Sequence, residues 1–358
     1  MAAAVPYPKI ELHVHLEGTM RPRTLLEIAR RNDYALPADT VEGLHELYRF
    51  RDFRHFIETF ELVAGALQGY GDFRQIVVDY AAEAAAHGAV YLEAIFTPGL
   101  WRGLDTDEVF SGYCDGAAEA RETHGVEVKL TPDIPRVYSA EEAEKVARYA
   151  VAYRERGVVG LGVAGFDTAR PNETFARAFA LARAGGVGSA PHAGELGGAE
   201  TVRAALEELA ADRIRHGIRA IDDPGLVGEL ASRGTVLDVC PFSNVRLGAV
   251  ASLAEHPLPH LAAAGVRCSI STDDPAMFDT DLTRDYEAAT SFGLDPRSFY
   301  EAGVAGALCD DEARERLRAI GERFDWASVV TEDDPERDAG RKRGKPGSSA
   351  PSAARPSR

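Results

Sequence analysis

The chain has 358 residues, 45% of them hydrophobic and 27% charged, with a formal net charge of -17. An acidic surface of this kind repels nucleic-acid backbones and anionic membranes, so a small neutral or cationic molecule is the expected partner. The four cysteines, Cys114, Cys240, Cys268 and Cys309, form no Cys-x-x-Cys pair, no basic leader precedes an apolar run, and no stretch approaches ~18 apolar residues, so a cytoplasmic protein with reduced thiols is expected.

Eight strand-like runs follow one another along the chain: residues 10–16, 89–96, 126–134, 158–165, 188–194, 213–217, 235–240 and 267–273. Helical patterns separate them. Residues 72–88 form one; residues 139–157 form another, with Ser139 as N-cap, Glu142 completing a capping box and Gly157 as the stop. Strands alternating with helices predict a parallel α/β sheet, and eight of them at this length predict a closed (β/α)8 TIM-type barrel. An open doubly wound sheet would carry a Gly-rich loop after its first strand. Here the stretch after Leu16 holds one glycine, Gly18.

Residues 21–70 interrupt the alternation with extra helical patterns. A helical insertion after the first strand lies on the catalytic face of a barrel, as a lid or pocket wall, or it packs on the flank. Residues 331–358 are rich in Pro, Gly, Ser and charge, including RKRGK, and are expected to form a disordered tail on a single domain spanning 1–330.

The opening strand reads IELHVHLEGT and places His13 and His15 two apart, on one side of a strand. They are either satisfied core histidines or metal ligands. The strand ends ahead favour the second reading. PHAGE supplies His192 and Glu195, RHG supplies His216, and STDDP supplies Asp273 and Asp274, so four of the ten histidines sit at strand ends. His13, His15 and His192 with one carboxylate make an N/O set suited to zinc, with a position left for water, whose pKa falls from about 15.7 toward 7 when so bound. Asp273 is the expected fourth ligand and Asp274 the substrate-facing neighbour, because adjacent strand residues point to opposite sides. Glu195, three residues past a ligand, is expected to act as general acid and base; the alternative is a helix N-terminal glutamate held by the dipole. His216 either orients and stabilises the nucleophile or joins a two-metal site. The fourth strand, VVGLGVAG, lacks the carboxylated lysine that a binuclear centre of the common barrel type would want, so one metal is favoured.

Taken together, KIELHVHLEG, VAG, PHAGE, RIRHG, CPFSN and STDDP closely resemble the adenosine deaminase family, in that family's order and over roughly residues 8–325. The resemblance implies zinc-dependent hydrolytic deamination of a 6-aminopurine. It implies that His13, His15, His192 and Asp273 hold zinc, that Glu195 protonates ring N1, and that His216 positions the hydroxide attacking C6. Asp274 would orient that nucleophile and approach N7, the Gly165 N–H would meet N3, and His15 and Glu17 would border the substrate.

Three places depart from adenosine-acting members: Glu17 where Asp is common, Phe166-Asp167 where Asp-Glu is usual, and Trp101-Arg102 after strand two. The last pair either touches a 5′ substituent at the pocket rim or lies on the surface. Adenosine or 2′-deoxyadenosine is the first expectation for substrate. Free adenine, or a 5′-modified adenosine such as aminodeoxyfutalosine, is the alternative. A silent purine-binding protein is the non-enzymatic rival, opposed by the filled catalytic positions.

Overall fold

The computed structural model describes residues 6–101, 103–166 and 169–329. Arg102, Asp167 and the expected tail at 331–358 lie outside the described residues.

Among the described residues, nine parallel strands form one closed ring. β1 (Lys9–His15), β2 (Ala89–Phe96), β3 (Glu127–Pro135), β4 (Gly160–Ala164) and β5 (Gly188–Ser189) pair in order, as do β6 (His192–Ala193), β7 (Arg213–His216), β8 (Val236–Val239) and β9 (Arg267–Ile270). The fifth expected strand appears as two, β5 and β6, separated by Ala190 and Pro191. Proline has no N–H for a ladder bond and interrupts the pairing. The segment still bridges both halves: Ala190 N donates to Leu161 O at 2.9 Å, and Arg215 N donates to Pro191 O at 3.0 Å. The (β/α)8 architecture therefore stands, with its fifth stave broken. Closure comes where His15 N donates to Asp273 O at 2.7 Å and Asp273 N donates to His13 O at 3.0 Å. Sequence positions some 260 apart are thus laced by backbone bonds.

Buried ion pairs fill part of the barrel interior. Arg213 is fully buried between Glu93 and Asp238, donating to Asp238 Oδ2 at 2.6 Å and to Leu12 O at 2.9 Å. Arg215 pairs with buried Asp133 and donates to Thr131 Oγ1 at 2.6 Å. Such charges are tolerated in a core because each faces an opposite charge there.

The insertion after β1 comprises α1 (Pro22–Arg31), α2 (Val41–Leu47) and α3 (Phe53–Ala64), followed by the barrel helix α4 (Tyr70–Ala86). Asp52 caps α3, its carboxylate accepting from His55 N at 2.9 Å. Phe53, Phe56, Ile57 and Phe60 recur at helical spacing on one face of α3 and line a cavity above the strand ends. This part of the insertion is a pocket wall. Further on, α5 (Thr106–His124) and α6 (Ala140–Ala152) flank the barrel. The capping box of Ser139 and Glu142 is present, but α6 stops at Ala152; a 3-10 turn, Arg154–Arg156, follows, and Gly157 ends that turn at φ 102°.

No helix among the described residues is long and apolar enough to cross a membrane.

Candidate active site

A cavity of about 230 Å³ opens at the C-terminal ends of the strands. Its floor is polar and its mouth aromatic. Just beneath the floor, His13 Nε2 lies 3.1 Å from His192 Nε2 and 3.1 Å from Asp273 Oδ1. His15 Nε2 lies 3.2 Å from His192 Nε2 and 3.3 Å from Asp273 Oδ1. A tetrahedral ion with bonds of about 2.0–2.1 Å separates its ligand atoms by roughly 3.3 Å, so these edges fit zinc. All four residues are buried, and all groups of His, Cys, Asp or Glu able to hold an ion among the described residues fall at this one place. A larger groove of about 710 Å³ near the N-terminal end of β9 has no such cluster.

Burial prepares the imidazoles as neutral ligands. Desolvation pushes His13 and His192 well below the ordinary histidine range, and His15 down to about 3 despite the opposing charge of Asp273. Neighbouring groups orient them. Nδ1 of His192 faces Val163 O at 3.2 Å and Asp133 Oδ2 at 3.3 Å, which places its proton on Nδ1 and its lone pair toward the cluster. Ser243 Oγ donates to Asp273 Oδ2 at 2.6 Å, and Cys240 Sγ lies 3.5 Å from His13 Nδ1. The CPFSN stretch thus supports the donor set.

Two site residues occupy the left-handed backbone region, His216 at φ 61° and Asp273 at φ 65°. For non-glycine residues this costs roughly 1–3 kcal/mol each. In a regular strand His216 would share the side of Ile214, away from Arg213 and Arg215. Its turned backbone aims the ring at the floor instead, with Nε2 3.6 Å from Glu195 Oε2 and 3.9 Å from Asp273 Oδ2. At Asp273 the same device removes an expected constraint. β9 ends at Ile270, so strand alternation no longer applies, and Asp273 and Asp274 both line the cavity. Burial, with the charges of Asp273 and Glu17, pushes the Asp274 carboxyl well above its ordinary range. Gly18 is what lets Asp274 sit there: a Cβ at that position would come within 1.8 Å of Asp274 Oδ1. Gly165, at φ 114°, reaches the cavity wall at the end of β4.

Two expected positions fall elsewhere. Glu17 is fully buried behind the wall and does not line the cavity; its Oε1 accepts from Thr97 N at 2.7 Å, and burial raises its carboxyl to about 8. It therefore braces Thr97, which does line the cavity. Trp101 is neither rim nor surface. Its indole N–H donates to Ala64 O at 3.0 Å and its ring packs 4.8 Å from Phe73, tying the loop after β2 to the end of α3. Phe166 does reach the mouth, 44% exposed and edge-on to Phe53 at 4.7 Å.

Several residues were not foreseen. Arg136, one residue past β3, is buried at the cavity and donates to His192 O at 3.0 Å and Asn172 Oδ1 at 2.9 Å. Its place at a strand end was a readable signal. Asp133, near the end of the expected third strand, and Ser243 and Asn244, within CPFSN, carried the same kind of signal but were given no role, and the aromatic face of α3 was legible only as a helix pattern.

A parallel barrel whose strand ends gather three imidazoles and a carboxylate is a metal-dependent hydrolase of the amidohydrolase type. Residues 8–320 match the family model described as adenosine deaminase, and the chain belongs to that family. It is 51% identical over 332 residues to an aminodeoxyfutalosine deaminase of Acidothermus cellulolyticus, covering 90% of this chain and 93% of that protein. It is 37% identical over 317 residues to an adenine deaminase of Rhizobium leguminosarum bv. trifolii, covering 87% and 98%. Among solved structures, an adenine deaminase from Arthrobacter aurescens superposes with a TM-score of 0.85 at 30% identity, covering 90% of this chain and all of that one. An amidohydrolase from Burkholderia ambifaria, solved with bound zinc, gives a TM-score of 0.80 at 28% identity, covering 94% and 92%. The protein is a hydrolytic deaminase of adenine-like compounds, and its cofactor is zinc.

Proposed function

We propose that this enzyme deaminates a 5′-modified adenosine of the aminodeoxyfutalosine kind. The observation that carries the proposal is the 51% identity, over nine-tenths of both chains, to a relative named for that substrate, against 37% for the adenine deaminase of Rhizobium. The cavity agrees: a polar floor suits a purine ring, and Phe53, Phe56 and Phe166 extend it outward as an apolar passage for a 5′ substituent. The relatives support this alternative over adenosine itself.

In this reading His13, His15, His192 and Asp273 hold the zinc. Bound there, the ion supplies a water acidified toward neutral pH. Addition of oxygen at C6 breaks the ring's aromaticity and loads electron density onto N1, so N1 needs a proton. Glu195 gives it. The C6–N bond then breaks, the amine leaves as ammonia with a proton added, and a C6 carbonyl remains. One carboxyl serves both transfers in turn, the role a non-ligand glutamate plays beside zinc in nucleobase deaminases generally. Asp274, kept protonated by burial, has an O–H for N7. The Gly165 N–H faces N3, and His216 steadies the incoming oxygen.

The test is kcat/KM for aminodeoxyfutalosine, adenosine, 2′-deoxyadenosine, 5′-methylthioadenosine and adenine on zinc-loaded enzyme. Aminodeoxyfutalosine is expected to exceed adenosine and adenine by at least tenfold, the scale of one good apolar contact. Equal values, or a preference for adenine, would defeat the proposal.

A further inference from the structure

The short helix Pro241–Arg246, after β8, carries the fully buried Asn244. Its Nδ2 lies 3.2 Å from Nδ1 of His216, and its Oδ1 lies 3.1 Å from Nε2 of His256. His256 is buried too, and its Nδ1 accepts from the backbone N–H of Leu258 at 3.1 Å.

This last bond fixes everything upstream of it. A backbone N–H only donates, so Nδ1 of His256 carries no proton. Burial holds His256 down to about 4, so the ring is neutral at physiological pH and its one proton sits on Nε2. That N–H requires an acceptor, which is Asn244 Oδ1. The other end of the amide is then NH2, which only donates, and it faces Nδ1 of His216. His216 therefore accepts at Nδ1 and keeps its own proton on Nε2, on the side of Glu195 and Asp273. Turning the amide round would set NH2 against N–H in a dry site and leave both donors without an acceptor.

We infer that Asn244 and His256 are positioning residues that lock His216 as the Nε2–H tautomer, a hydrogen-bond donor aimed into the active site. The inference rests on the deaminase reading but on no particular 5′ substituent. A ring so held gives a hydrogen bond to the oxygen that adds to C6. It has no lone pair toward the cavity, so it is not the base in the reaction; a carboxyl group has to be.

Three measurements test this. The first uses wild-type, zinc-loaded enzyme with 15N-labelled histidine, reading two-bond 1H–15N correlations, with His216→Asn to assign the signal. Nε2–H is expected for His216, and Nδ1–H overturns the inference. The second is Asn244→Asp, which keeps the shape and offers His216 an acceptor, driving its proton to Nδ1. The expected result is a kcat lower by ~10²–10⁴, by analogy with the loss when a protease imidazole is given the wrong tautomer. KM should stay within about threefold and zinc content should be unchanged. An unchanged kcat, or a loss confined to KM, sinks the idea. His256→Gln, which can still donate to Asn244, should retain kcat within about threefold, whereas His256→Ala should lose about tenfold. Should Asn244→Asp fail to fold, the wild-type spectrum decides. Absence of any aminopurine turnover by wild type would instead defeat the deaminase reading and leave the tautomer to stand or fall on the spectrum.

Discussion

The floor and the mouth of the cavity are built by different means. The floor is set by strand ends, and its groups are buried, mutually bonded and in places held in a costly backbone conformation. His13 and His15 come from β1 and Asp273 from just past β9, and the barrel's closing backbone bonds pass between them. The mouth comes from α3 and the loop after β4, through Phe53, Phe56 and Phe166, where contacts are apolar and Phe166 is partly exposed. Rigid polar geometry suits a reaction, which tolerates little displacement of its groups. An apolar rim suits discrimination among substituents far from the reacting carbon, where each contact is worth little and is easily exchanged. In the proposed reading the floor carries the reaction and the mouth the choice among substituents.

Changes at the floor should show the largest effects. Glu195→Gln keeps the size of the side chain and removes its acid, so kcat is expected to fall by ~10²–10⁴ on every aminopurine alike, with zinc retained by metal analysis. Full activity in that variant would remove Glu195 from the proton path. At the mouth the effect should be smaller and selective. Phe166→Ala is expected to raise KM for aminodeoxyfutalosine by about tenfold and for adenosine by no more than about twofold, the scale of one aromatic contact. A uniform loss across both substrates would erase the distinction between floor and mouth.

The smallest effect lies behind the floor. His256 is held at about 4 in the folded protein and near 6.5 when unfolded. As pH falls below that value the unfolded chain takes up a proton that the folded one refuses, so stability declines. The loss from this one ring is about 1 kcal/mol between pH 6.5 and 5.5. Chelator-treated wild type should therefore lose more stability over that interval than His256→Gln, measured by urea unfolding. Parallel pH dependences would mean that His256 is not buried as a neutral ring. Glu17 and Asp285, both raised to about 8 by burial, act the other way. They hold protons that the unfolded chain releases, so their contribution is lost as pH rises from about 4.5 toward 8, in both proteins equally.

Much was determined by the sequence alone. A short apolar run marked the strand at 89–96 with the bounds it has in the fold, and the alternation of strand side chains placed His13 beside His15. The motifs around His192, His216 and Asp273 marked strand ends because polar groups there have no core to serve. Only the tertiary structure decided the rest. Ring closure brought residue 13 to residue 273, a contact that no local pattern encodes. Left-handed backbones at His216 and Asp273 overrode the alternation that would have turned one aspartate away. Trp101 went into the core because Ala64 O offered its indole a partner, and Glu17 went behind the wall because Thr97 N did the same. Asn244 and His256 show the reason most plainly: a hydrogen bond takes its meaning from what the partner can donate or accept, and partners are neighbours in space before they are neighbours in sequence.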